Sequence, residues 1–353
     1  MNCQIFRCRK LRFAGRSVGP RADAGRPSGV AIPLFVLAVL LINRGANGIA
    51  AIAGESASVA RPAAAKERHV AATVDGVPVY GDQVDRELEL VLKGRKIDPQ
   101  SRQELQAKTL QQLIDRELIL GWLKSEGQAA SDQDIDLSIQ RLTRELTQRG
   151  QKWEDYLRSR GIGEEDLRRL KRWQLSWSRF LRSRITDENL QKYFDQHRRE
   201  FDGTRLRVAH ILWKVEPPFE RSDLEKALAQ ARAVRDEIVS GRSAFADAAR
   251  KYSKAPSASA GGDIGFISRK EPMPEAFSRA AFELDAGQVS EPTQTASGVH
   301  LIHCLEVEQG KKTWSEARSE LEEAAAVFLF GWAADRRRGV ASVRVIDDSV
   351  PGR

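Results

Sequence analysis

The chain has 353 residues, with 57 Lys and Arg against 49 Asp and Glu and a net charge of +8. That length is too great for one ordinary domain and comfortable for two. The charge does not describe a nucleic-acid-binding surface: residues 1–53 hold eight Lys and Arg, from Arg7 to Arg44, against Asp23 alone, and so carry nearly all of it, whereas a phosphate-binding patch belongs on the folded body.

The leader at 1–53 has the grammar of export. A basic stretch precedes the apolar run VAIPLFVLAVLLI, Val30 to Ile42. Its 13 residues suit a signal sequence and fall short of the roughly 20 that span a bilayer. Ala51-Ile52-Ala53 supplies an A-x-A-like cleavage site. The segment is therefore expected to be either a cleaved signal or an uncleaved membrane anchor at 30–42, and in both cases the body is exported to a periplasmic or other extracytoplasmic space. Cys3 and Cys8 lie in the leader, so Cys304 stands alone in the body. One thiol makes no internal disulfide, and no metal-ligand spacing is present.

Residues 54–70 read as a linker of small and polar residues. In AATVDGVPVY, Asp75-Gly76 between short apolar runs predicts a hairpin, since both residues tolerate positive φ. A helical module is expected over 71–200. Leu110, Leu113, Ile114, Leu118 and Trp122 recur at steps of three and four, which makes one apolar face, and Gly127 ends that helix. Ser131 is the expected N-cap of the next, with Asp residues in its first turn. Leu167, Leu170, Trp173, Trp177 and Leu181 form another stripe. Such aromatic stripes are read as core. Thr186 is expected to cap DENLQKYFDQHRREF.

Near residue 203 the period changes. LRVAHILWKV places Leu206, Val208, His210 and Leu212 on one face and Ala209, Ile211 and Trp213 on the other, the mark of a central strand. An amphipathic helix from Ser222 to Ser240 follows, then a short helix in SAFADAARKYS, a small-residue loop, and helical turns in PEAFSRAAFEL. GQVSEPTQT and GVHLIHCLEV read as strands. This order is an α+β pattern with a small antiparallel-type sheet. After Lys312 a long helix is expected to run to about Arg338, and ASVRVID closes the chain as a strand.

These residues carry a family likeness. RVAHIL (207–212), FADAARKYS (245–253), GGDIGF (261–266), MPEAFSRAAFEL (273–284), GQVSEP (287–292) and TASGVHLI (295–302) occur in this order. Residues 205–308 thereby resemble a parvulin-type (PpiC-like) peptidyl-prolyl cis-trans isomerase domain. With the helical 71–200 and a C-terminal 312–353 helix and strand, the chain resembles the exported SurA/PrsA/PpiD-like chaperone-isomerases. In that group the C-terminal segment folds back on the N-terminal module, so ASVRVID is expected to pair with the strand near Ala72.

The resemblance implies a site. Rotation about an X-Pro bond meets a resonance barrier of about 18–20 kcal/mol and breaks no bond, so no cofactor, metal or nucleophile is called for. An apolar pocket must grip the prolyl ring and bind the twisted amide better than the planar one. Met273, Phe277, Ile264 and Phe282 match the substrate-binding wall. His210 and His300 match the paired histidines of the floor, and Thr295 a hydroxyl in the same network; His303, on the other face of its strand, is structural or surface. Gly261 and Gly262 allow a turn with positive φ. The chain departs from the family at two positions. Ala255 stands where Cys or Asp usually precedes the proline, and Ser297 replaces an aromatic.

The expected function is an isomerase and folding helper for unfolded or partly folded polypeptides with X-Pro bonds. The alternative is a holdase that keeps the fold and loses the chemistry at Ala255 and Ser297. No nucleic acid is expected as partner, and no Ser/His/Asp or HExxH arrangement supports a protease.

Overall fold

The computed structural model describes residues 68–215 and 220–346. The leader, the apolar run at 30–42 and most of the linker lie outside the described residues. Among the described residues no helix is long and apolar enough to cross a membrane. The described chain forms two compact units, one of residues 68–186 with 323–346 and one of residues 187–322.

The first unit starts with the hairpin of β1 (Val70–Val74) and β2 (Val77–Tyr80). Asp75 and Gly76 at its tip take φ of 50° and 81°, the pair of left-handed residues that a two-residue turn between right-twisted strands requires. Helices α1 (Gly81–Leu92), α2 (Pro99–Ser125), α3 (Asp132–Gln148), α4 (Trp153–Ser159) and α5 (Glu164–Arg184) follow. Asp98 caps α2 by accepting from the Ser101 N–H, with Pro99 at the first helical position, where its missing donor costs nothing. Ser131 caps α3 as its sequence predicts. The stripe of α2 works as expected: Leu110, Ile114 and Leu118 pack on Ala72, Val74 and Val79 of the hairpin.

The end of the chain completes this unit. Helix α11 runs from Arg318 to Arg338, starting six residues later than the composition after Lys312 suggested. Its C-terminal half brings Phe330 edge-on to Trp173 and Trp177 of α5, at 6.0 and 5.7 Å between ring centroids. Trp332 meets Trp122 of α2 edge-on at 5.3 Å. Such pairs add about 0.5–1.5 kcal/mol each beyond burial. Strand β7 (Val343–Val345) then lies antiparallel to β1, with Ala72 opposite Val345, so the pairing expected of ASVRVID is made. Arg337 also binds the Asp75 carboxylate at the hairpin tip.

The second unit opens with α6 (Asp187–Gln196) and α7 (Arg198–Phe201). Sequence pattern suggested one helix here; His197 at φ −122° breaks it in two. Strand β3 (Arg205–Lys214), helices α8 (Arg221–Val239) and α9 (Phe245–Tyr252), β4 (Asp263–Ile267), helix α10 (Glu275–Phe282), β5 (Thr293–Thr295) and β6 (Gly298–Glu308) complete it. The sheet has the order β4-β3-β6-β5, and every pair is antiparallel. Strand β3 is thus central, as its two apolar faces predict. Ala209, Ile211 and Trp213 pack under α8 and α9. Leu206 and Val208 face the other way, onto Ile302, Cys304 and the Phe277 and Phe282 rings of α10.

GQVSEPTQT is not one strand. Only Thr293–Thr295 joins the sheet, with a lone bridge from Val289 to His303 upstream. Pro292, which has no N–H for the ladder, separates them. The glycine pair of GGDIGF has a sharper purpose. Gly262 takes φ 85°, and its carbonyl accepts from the His210 N–H at 2.9 Å. A Cβ on Gly262 would sit 2.5 Å from the His210 carbonyl oxygen. The approach of β4 to β3 at His210 therefore needs a residue without a side chain.

Two substitutions measure that constraint. Gly262→Ala is expected to cost about 3 kcal/mol or more, combining a left-handed φ with a clash against fixed backbone. Gly265→Ala shares the left-handed φ of 76° but meets nothing within 4 Å, and should cost about 1–2 kcal/mol. Equilibrium urea unfolding of the full chain checks both; a Gly262→Ala cost no larger than that of Gly265→Ala contradicts the close approach.

Candidate active site

The site follows from strand register. In the β3–β6 pair His210 stands opposite Ile302 and Leu212 opposite His300. The two histidines are diagonal neighbours on one face, a separation that long side chains can close. They do so: Nδ1 of His210 lies 3.2 Å from Nδ1 of His300, with the rings near-parallel at 13°. Phe277 of α10 meets both rings edge-on, at 5.6 Å from His210 and 5.4 Å from His300. Strand β5 adds Thr295, whose Oγ1 is 2.8 Å from His300 Nε2. The structure therefore brings His210, His300, Thr295 and Phe277 into one constellation.

One assignment of the protons satisfies these contacts: Thr295 Oγ1 accepts from the Ser297 N–H and gives its own O–H to His300 Nε2. His300 then carries its proton on Nδ1 and donates it to Nδ1 of His210. In this assignment His210 holds its remaining proton on Nε2. Both imidazoles are buried, and burial disfavours their charged forms. It lowers His210, and together with the neighbouring His210 ring it pushes His300 down to about 4. At neutral pH the floor is an uncharged pair.

The expected wall residues divide. Met273 and Ile264 are partly buried against the cluster that includes Phe277 and Phe282. Phe282 is 6% exposed and Phe277 has no exposed surface at all, so Phe277 supports the imidazoles from within. Ile264 is held in place by Asp263, which accepts from the Gly265 N–H and pairs with Arg207 at 2.8 Å. His303 points to the opposite face, half-buried against Phe245 at 4.9 Å.

Sequence reasoning passed over Ser253. Its Oγ accepts from the Leu212 N–H, and the Lys254 N–H donates to the Leu212 carbonyl. The segment that ends at Ala255 is thereby laced to β3 two residues from His210. The signal was present in the serine of the YS-x-x-P stretch. Ala255 itself is buried and brings no polar atom to the floor. Ser297 is exposed and contributes its backbone N–H.

Among the described residues no group of three or more His, Cys, Asp or Glu could hold a metal ion. A groove of about 350 Å3 in the other unit is lined by Leu146, Lys152 and Trp153; it holds no paired titratable groups, and the chemistry points to the imidazole floor instead.

Comparison with known proteins agrees with both parts of the chain. Residues 210–306 match the PPIC-type PPIASE domain family and residues 28–181 the SurA-like N-terminal domain family. The chain is similar to Chaperone SurA of Alkalilimnicola ehrlichii, 26% identical over 71% of this chain and 60% of that protein. It is similar to Foldase protein PrsA of Bacillus subtilis, 32% identical over 39% of this chain and 40% of that protein. It is also similar to Peptidyl-prolyl cis-trans isomerase Pin1 of Malus domestica, 36% identical over 28% of this chain and 93% of that protein. The chain thus spans less than two thirds of these two SurA and PrsA relatives and nearly the whole of the small isomerase. The chain belongs to the parvulin-type, PpiC-like peptidyl-prolyl cis-trans isomerases and carries a SurA-like N-terminal domain.

Proposed function

We propose that the chain is an exported folding helper that isomerises X-Pro bonds in unfolded or partly folded polypeptides. One observation carries the reading: two buried imidazoles from adjacent strands, in contact at 3.2 Å and braced by Phe277, in the same unit as the partly exposed Met273 and Ile264 that pack against Phe277. In this reading Met273 and Ile264 grip the prolyl ring. Phe282 backs them, and Phe277, His210, His300 and Thr295 set the shape of the floor.

The physical argument is differential binding. The planar X-Pro amide is stabilised by resonance and carries a larger charge separation than the twisted one. An uncharged, largely dry floor disfavours the planar form relative to the twisted form, and only such a difference speeds the step. The neutral state of the histidines matters here, because a cation on the floor would favour the more polar, planar amide. No bond is made or broken, so the residues need only shape and polarity. Export is supported by the signal-like leader and by the kinship with SurA and PrsA; the apolar run at 30–42 serves as the export signal or as an anchor.

The decisive measurement is isomerisation of a short X-Pro peptide by the full chain. His210→Ala and Met273→Ala are each expected to lower kcat/KM about tenfold or more. Rates equal to the unaltered chain would rule out catalysis at this floor and leave the holdase reading.

Ala255→Asp is expected to raise kcat/KM several-fold by returning a polar group beside the histidines. An unchanged rate would mean that position 255 does not reach the network.

The imidazoles also set a pH window. Because His300 is held near 4 when folded and titrates near 6.5 when unfolded, the unfolded chain binds the extra proton between those values. Stability from this group is complete above about pH 6.5 and is lost as pH falls toward 4, by on the order of 3 kcal/mol. Activity should be flat from pH 6 to 8 and fall below about pH 5. Thermal unfolding across pH 4–8 checks this, and His300→Gln should flatten the dependence.

A further inference from the structure

Between β4 and α10 the chain makes a loop, residues 268–274, that carries Met273. Its first turn is closed on itself: the Ser268 N–H donates to the Glu271 carbonyl, and Ser268 Oγ accepts from the Glu271 N–H. At its far end the Ser278 hydroxyl donates to the Met273 carbonyl. Between these points stands Arg269, whose side chain is only 15% exposed.

Arg269 is bonded on both sides. Nη1 and Nη2 donate to the two oxygens of Glu275 at 2.7 and 2.8 Å. Nε donates to Glu200 of α7 at 3.0 Å, and the other Glu200 oxygen is bonded to His197 at 2.9 Å. Glu275 is held further by Arg279 one turn along α10. Next to Arg269, Lys270 pairs with Glu320 at 3.0 Å. A planar guanidinium gripping one carboxylate with two arms and a second carboxylate with the third fixes direction as well as distance, which an ammonium does not. Half-buried ion networks are poor sources of net stability, since desolvation offsets much of the attraction. What this one supplies is geometry, four residues before Met273. Methionine is flexible and adapts to its surroundings, so its place in the pocket is set by the backbone that carries it.

We propose that Arg269 is a positioning residue for the isomerase reaction: its fork on Glu275 and its third bond to Glu200 hold the 268–274 loop so that Met273 forms the lip of the prolyl pocket. This rests on the isomerase reading above. In this proposal Arg269 acts through the loop and not on the prolyl ring, with three of its N–H donors given to the two carboxylates. The loop is tied through Glu200 to α7, the short helix that leads into β3.

The test uses the full chain, an X-Pro peptide and four variants: Arg269→Met, Arg269→Lys, Met273→Ala and the Arg269→Met/Met273→Ala double. Arg269→Met is expected to raise KM about fivefold with kcat within twofold, because the grip on the ring is lost equally in ground and transition states. Arg269→Lys keeps the charge but not the fork, and should recover only part of the loss. With Met273 already alanine, Arg269→Met should change KM less than twofold, the non-additivity of residues acting through one contact. An unchanged KM in Arg269→Met, or an undiminished effect in the double variant, overturns the proposal. Should Arg269→Met fail to fold by circular dichroism, Glu200→Ala removes the third bond, together with the bond to His197, and leaves the fork on Glu275 in place. It must then raise KM about twofold or more with Met273 present and not with Met273→Ala; any other result overturns the proposal. An inactive unaltered chain sinks the isomerase reading and this inference together, whereas an active chain indifferent to Arg269 sinks only the inference.

Discussion

The contact between His210 and His300 depends on the register of two strands. Because His210 faces Ile302 and His300 faces Leu212, the imidazoles are diagonal neighbours on the face that α10 covers. A slip of one residue in either strand would send one ring to the opposite face, under α8 and α9, and dissolve the floor. The register is held by apolar demand on both faces: Ile211 and Leu301 must meet one set of helices, Val208 and Ile302 the other. The same alternation that builds the core therefore places the site, and neither can be altered without the other.

Around that contact the unit is arranged to keep the floor uncharged and rigid. Burial holds both imidazoles below their ordinary range. Thr295 and the Ser297 N–H close one end of the proton chain, and Phe277 fills the space beneath. Charged residues stand back from the floor and do a different task, fastening the segments that carry the apolar lip. Arg207 with Asp263 steadies the strand of Ile264, and Arg269 with Glu275 and Glu200 steadies the loop of Met273. In the proposed reading, apolar residues supply the surface that meets the substrate and ion pairs supply the alignment.

The helical unit shows the same economy on a larger scale. Its hairpin is completed by a strand from the other end of the chain, and its aromatic core by Phe330 and Trp332. The stripe of Trp173 and Trp177 reads as core in the sequence and is core in the structure. The aromatic partner of that stripe was not visible, since Phe330 sits in a helix with no pronounced one-sided pattern.

The residues of the candidate site were plain in the sequence through six ordered motifs that resemble the parvulin family, because a histidine or an aromatic on an apolar face by itself reads equally as core. The hairpin at Asp75-Gly76, the cap at Ser131 and the central strand around His210 were equally plain, because turns, caps and alternation are local. What locality could not reach was decided in three dimensions. Pro292 cut one expected strand, and His197 divided one expected helix. Phe277 passed from the pocket's wall to its support, since exposure is set by what packs on a ring and not by the ring. The arms of Arg269 found carboxylates 69 and 6 residues away, a choice among many acids that only the folded backbone makes. Sequence alone specified the face each residue would take and the chemistry it could offer; tertiary structure chose its neighbours, because packing joins positions that the chain keeps far apart.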